Sequence, residues 1–252
     1  LDKKITNQLD YKNLAELTSG LTGADIANVV NQSKINAIQN KKIKIKMEDI
    51  KFAIDEVMIG REKPERKMSK NELARVAKHE AGHAFMSYIL KDCEPPVKVS
   101  ILPRGEAALG FSQQKPDDKK LYSQYYVLSQ ICVLLGGRSA EKIFYNELSS
   151  GAHDDIEKVT QLLEYYYKNW GMSEKYGPLN YTNLKLKQHS KITKSIISTV
   201  KKLEKFTIQT LESNRSQVEK ISDRLLEKET IESSDISEIL EKSLENSIEI
   251  SL

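Results

Sequence analysis

Cysteine is nearly absent from this chain: Cys93 and Cys132 are its only two, far apart in the sequence. They form no C-x-x-C pair, so a disulfide framework is not implied and a reducing compartment is the default. Long apolar runs are also missing. None approaches the ~20 residues that span a bilayer, and no signal-peptide pattern opens the chain. It starts at Leu1 rather than Met, as a fragment does, and any membrane anchor is expected to lie outside it. An excess of charge of one sign is lacking too, with 39 Lys and Arg against 36 Asp and Glu. A balance that even gives no argument for a nucleic-acid surface. What remains, 39% hydrophobic and 30% charged over 252 residues, suits a globular protein rich in exposed helix, in one large or two modest domains.

Histidine is scarce as well, at four residues, yet two stand together in Lys78-His79-Glu80-Ala81-Gly82-His83-Ala84. The run leading in reads as a helix. Ser69 and Glu72 have capping-box spacing, and Leu73, Val76, Ala77, Ala81, Ala84, Phe85, Tyr88 and Ile89 follow at mostly helical spacing. On such a helix His79 and His83 project from one face, a turn apart. Two neutral imidazoles so placed can hold one Zn²⁺, and Glu80 beside them can take a proton from a metal-bound water. The alternative, a chance pair on an exposed helix, would arise in well under roughly one chain in a hundred.

Residues 1–60 read as a small helical unit: a short helix at 13–17, a break at Thr18-Ser19-Gly20, and a helix opened by the capping-box pattern of Thr22 and Asp25. Ile26, Val29, Val30, Ser33, Ile35, Ala37 and Ile38 continue that helix with a broad apolar face. A third starts at Met47 and ends at Gly60. Between the last two, Lys41, Lys42, Lys44 and Lys46 alternate with Ile43 and Ile45 as a short edge strand or a solvated turn. The charged, Pro64-containing segment after Gly60 is the best linker candidate. Beyond the His helix, Val97-Lys98-Val99-Ser100-Ile101 alternates as a strand does, Pro103-Arg104-Gly105 turns, and residues 109–113 are its expected neighbour. Gly105 and Gly110 have P-loop spacing, but Phe111 stands where the lysine must be, so no phosphate cradle forms there. A helix at 121–135 is followed by Gly136-Gly137-Arg138 and a further short helix to Tyr145. Another opens at Gly151-Ala152-His153-Asp154-Asp155, and its Tyr165-Tyr166-Tyr167 triple reads as packing. Residues 191–227 make one long amphipathic helix or two. Asp235 opens a last one, and the tail from Ser243 frays.

A catalytic zinc keeps three protein ligands and one open position. His153, Asp154 and Asp155 are the other place where ligands crowd, and spacing does not choose among them. For either Asp, helix N-capping is the plainer role.

Taken together, His79-Glu80-Ala81-Gly82-His83-Ala84, Ile101-Leu102-Pro103-Arg104-Gly105, Ala108-Leu109-Gly110-Phe111, Leu135-Gly136-Gly137-Arg138, Ser150-Gly151-Ala152 through Asp155-Ile156, and Gly171-Met172-Ser173 follow the order of a known family. They resemble the FtsH-type ATP-dependent zinc metalloproteases, the membrane-bound AAA proteases of bacteria, mitochondria and plastids. Leu226-Glu227-Lys228-Glu229-Thr230-Ile231 resembles their ending. Gly20 through Asn28 resembles the start of the helical lid of their ATPase module.

The resemblance implies a mainly α protein: an AAA lid at 1–62, a linker at 63–67, and a mostly helical zinc-protease domain with a small β element at 68–252. It implies Asp155 as the third ligand to one Zn²⁺ per chain, with His79 and His83. Glu80 would be the general base for attack of the Zn-bound water on a peptide bond. Gly23 and Ala24 would lie near the adenine of bound nucleotide. ATP and Mg²⁺ would belong to the full-length protein only, because Walker and arginine-finger segments are absent here. It implies unfolded polypeptides as substrates, misfolded or unassembled membrane and soluble proteins among them. The partners would be like subunits in a homo- or hetero-hexamer, and the place an organelle or bacterial inner membrane reached through an anchor outside this chain. The run after Asp154-Asp155 is closest to mitochondrial matrix-facing members. The 97–101 strand is expected to offer an edge to which substrate adds by main-chain hydrogen bonds. Against this stands a catalytically silent ring-forming scaffold subunit, which would have lost a His or the Glu, and neither is lost.

Overall fold

The computed structural model describes residues 9–18, 20–58, 68–103, 110–114, 121–182 and 189–240. They group into two compact units, residues 9–58 with 102–103, and residues 68–101 with 110–114 and 121–240. Gly60, the 63–67 linker, the turn from Arg104 onward and the tail from Ser243 lie outside the described residues.

The first unit holds α1 (Tyr11–Leu17), α2 (Gly23–Gln39) and α3 (Met47–Met58). Thr22 and Asp25 cap α2 reciprocally, as their spacing predicts. Val29, Ala37, Ile45, Ile50, Ala53 and Ile54 form the core, with Leu14 and Leu17 packed against it. The buried stripe of α2 is narrower than expected. Val29, Ser33 and Ala37, four apart, face α3, while Ile26 in the first turn and Ile35 and Ile38 on the far side are exposed. The lysine run is a turn rather than a strand, with Ile45 buried and Ile43 84% exposed. It is pinned where the Lys46 N–H and the Lys42 ammonium both donate to the buried Asp49 carboxylate, at 2.9 and 2.6 Å.

The second unit is built on α4 (Lys70–Ile89), which packs against α5 (Gln124–Tyr145) and α8 (Arg215–Lys228). Ser69 and Glu72 close the expected capping box at the start of α4. Phe85, Met86, Ile89 and Leu90 are buried, and each such side chain contributes roughly 1.5–3 kcal/mol over exposure.

The break expected at Gly136-Gly137 does not occur. One helix, α5, runs straight through to an αL cap at Asn146. The glycines serve a close crossing instead. A Cβ on Gly82 would fall 2.4 Å from the Gly136 carbonyl oxygen, and one on Gly136 would fall 2.7 Å from that of Gly82. Glycine in a helix costs about 1 kcal/mol against alanine, and here it lets two backbones touch.

A 3-10 turn (Ser150–Ala152) leads into α6 (His153–Glu164), which loosens into a π-helical turn at Tyr165–Asn169. Tyr166 and Tyr167 pack inward as expected, and Tyr165 stays half exposed. The long amphipathic stretch is two helices, α7 (His189–Ser213) and α8, parted at Asn214, whose side chain donates to the Thr210 carbonyl. Then come β3 (Thr230–Glu232) and α9 (Ser233–Leu240).

The 97–101 strand is present as β1 (Pro96–Ser100), with β2 (Phe111–Gln114) as its antiparallel neighbour. It is not an edge. The sheet order is β2-β1-β3, so β1 is hydrogen-bonded on both sides and cannot accept a substrate strand. Its second neighbour, β3, has only three residues, too few for alternation to reveal.

Candidate metal centre

His79 and His83 lie in the middle of α4, 8% and 7% exposed, and face one point. Their rings stand 4.7 Å apart at 70°. Each is oriented from behind through Nδ1, His79 by Glu141 Oε1 at 2.8 Å and His83 by the Val133 carbonyl at 2.8 Å. Both Nδ1–H groups therefore donate away from the site and both Nε2 atoms turn into it. Asp155, in the first turn of α6, sets Oδ2 3.3 Å from each Nε2. One donor atom from each of the three residues lies within 4.8 Å of the others. Of the three candidates at the start of α6, Asp155 alone enters this cluster, whereas His153 and Asp154 are exposed. Neither Asp caps the helix through its side chain, since the N-cap is Ala152.

Two imidazole nitrogens and a carboxylate oxygen are the donor set of a catalytic zinc site, and the space between them is kept clear by Gly137. A Cβ there would fall 2.4 Å from His79 Nε2 and 2.5 Å from His83 Nε2. The chain's residues fit the ion. Gly137 and Glu141 are the functional positions that sequence reasoning missed. With a helix break placed at 136–137, the i,i+4 relation that aims both at His79 does not show.

The electrostatics follow from burial and pairing. Burial alone would lower the proton affinity of His79, but Asp155 and Glu141 carry its pKa up to about 10. Burial would raise Asp155, yet hydrogen bonds from the two imidazoles hold it well below the usual carboxylate range. Glu141 is likewise lowered, because His79 and Ser149 outweigh its burial. Glu80 goes the other way: burial raises it, opposed by the charges of His83 and His79. The chain just before β2 passes close to it, since a Cβ on Gly110 would fall 2.8 Å from Glu80 Oε1.

Residues 66–239 match the family model for peptidase family M41. The chain belongs to that family. Residues 8–52 of this M41 chain match the model for the AAA+ lid domain. Among curated proteins, "ATP-dependent zinc metalloprotease FtsH 3" of Symbiobacterium thermophilum is 37% identical over 96% of this chain and 41% of its own length. The rice protein "ATP-dependent zinc metalloprotease FTSH 3, mitochondrial" is 39% identical over 90% of this chain and 30% of its own. A mouse protein named as a mitochondrial inner membrane m-AAA protease component is 36% identical over 95% and 32%. The chain thus spans less than half the length of these relatives. With the His-His-Asp cluster in place, its M41 domain is that of a zinc metalloendopeptidase.

Proposed function

We propose that residues 68–252 are the proteolytic domain, and residues 1–62 the helical lid, of an ATP-dependent FtsH-type protease, joined by a linker at 63–67. The observation that carries this reading is the convergence of His79 Nε2, His83 Nε2 and Asp155 Oδ2 beside a buried Glu80. These three side chains would hold one Zn²⁺. When bound there, zinc would supply a Lewis acid for the scissile carbonyl and an activated water. Glu80 accepts the proton of the attacking water and passes it to the leaving amine nitrogen. With the metal held, Glu141 and the Val133 carbonyl would accept from the two Nδ1–H groups and leave both Nε2 atoms to the ion.

The outer edge of β2, rather than β1, is the place for an extended substrate to add by main-chain hydrogen bonds, because the chain enters β2 alongside Glu80. A cavity of about 350 Å³ opens between α5 and α6. Leu134 and Gln130 line it one and two turns along α5 from Gly137, and Lys158 and Leu162 line it along α6 from Asp155.

In the full-length protein, Gly23 and Ala24, exposed at the start of α2, would lie near the adenine of bound ATP. Like subunits would form the hexamer, unfolded polypeptides would be the substrates, and an anchor outside this chain would reach an organelle or bacterial inner membrane. No described helix is long and apolar enough to cross a membrane.

The deciding experiment pairs zinc analysis with casein cleavage. The protein should contain about one zinc per chain, lose cleavage to a chelator and regain it with added zinc. Cleavage indifferent to chelation would refute the reading. A second expectation concerns protons. With the His79 pKa at about 10, metal-stripped protein at neutral pH carries a proton on His79 that zinc must displace. Zinc binding should therefore release about one proton per site and tighten as pH rises, levelling off only above the His79 pKa. Proton release into weak buffer, followed with an indicator dye, checks it, and zinc uptake without release would contradict it.

A further inference from the structure

Glu141 is a charged side chain in the interior, only 2% exposed, and a buried carboxylate is stable only when paired and hydrogen-bonded. Its Oε1 accepts from His79 Nδ1–H at 2.8 Å and from the Ser149 hydroxyl at 3.0 Å, and its Oε2 accepts from the Ser149 N–H at 3.0 Å. One further group reaches it. Arg75, a single turn before His79 on the same face of α4, places Nη1 3.5 Å from Oε2. The guanidinium is held from its other sides, with Nη2 donating to Glu147 at 2.7 Å and its carbon 4.8 Å from the centre of the Tyr145 ring.

An imidazole that ligates a metal is neutral. Once His79 does so, Arg75 is the one side-chain cation among the described residues left against Glu141. Glu147 and Ser149 both belong to the segment joining α5 to the turn that delivers Asp155. The network therefore links the helix carrying two ligands to the loop positioning the third.

We propose that Arg75 is a positioning residue for the metal centre: through Glu141 it fixes the His79 ring with Nε2 toward the ion, and through Glu147 it ties that ring to the approach to Asp155. The inference rests on the reading of His79, His83 and Asp155 as zinc ligands. Outer partners of this kind set metal affinity by about 10–100-fold.

The test is zinc affinity by chelator competition in the whole chain, for wild type, Arg75→Met and Arg75→Lys, with the absorption spectrum of the cobalt-substituted forms alongside. Arg75→Met should weaken zinc binding by about tenfold or more and alter the cobalt spectrum. Arg75→Lys, which keeps the charge, should recover part of both. Arg75→Met binding zinc within twofold of wild type, or Arg75→Lys no better than Arg75→Met, would overturn the proposal. A wild type that binds no zinc would overturn the functional reading and this inference with it. A zinc-binding wild type with an unaffected Arg75→Met would overturn this inference alone.

Discussion

Glu80→Gln should abolish peptide-bond cleavage while leaving zinc bound. The substitution keeps the size of the side chain in a site where Glu80 is only 6% exposed, so packing on α4 is preserved. What is lost is the ability to accept a proton. A positioned acid–base group is worth about 10²–10⁴-fold in rate, or about 3–5 kcal/mol of barrier, and cleavage should fall by that much. The three donor atoms at the centre belong to other residues, so zinc content should stay at the wild-type value. Casein turnover and metal analysis on the same preparations test this, and turnover within tenfold of wild type would remove Glu80 from the role.

Gly137→Ala should produce the opposite pairing of results, an intact helix with an empty, inactive centre. In most helices this exchange stabilises by about 1 kcal/mol. Here the added methyl group would sit 2.4 Å from one Nε2 and 2.5 Å from the other. Neither ring can step aside freely, because Glu141 and the Val133 carbonyl hold them from behind. The methyl also occupies the space toward which both Nε2 atoms point. Zinc binding should weaken by more than the 10–100-fold typical of an outer-shell change, with helix content by circular dichroism unchanged. Wild-type zinc affinity in this variant would mean that the two imidazoles do not converge where described.

The parts legible in the sequence were those set by local chemistry. Capping boxes at Thr22–Asp25 and Ser69–Glu72 mark helix starts that the structure keeps. The four-residue spacing of His79 and His83 needs only a helix to become a face. Asp155 was different: it lies 76 residues from His79, so spacing could not choose it over His153 or Asp154, and only family resemblance did. The failures are tertiary. Gly136 and Gly137 read as a break because glycine disfavours helices in isolation, and nothing local reveals that Gly82 presses against one and two imidazoles against the other. Glu141 was hidden by the same misplaced break. Strand β1 passed for an edge because its second neighbour is a three-residue strand more than a hundred positions away.

That distant neighbour also bears on how the chain comes into being. Ser100 and Thr230, joined hydroxyl to hydroxyl at 2.8 Å, are 130 positions apart. A ribosome will have released every zinc ligand long before the third strand exists to close the sheet. A product truncated ahead of Thr230 would carry the complete ligand set together with an unprotected flank on β1, the kind of surface that recruits other chains into aggregates.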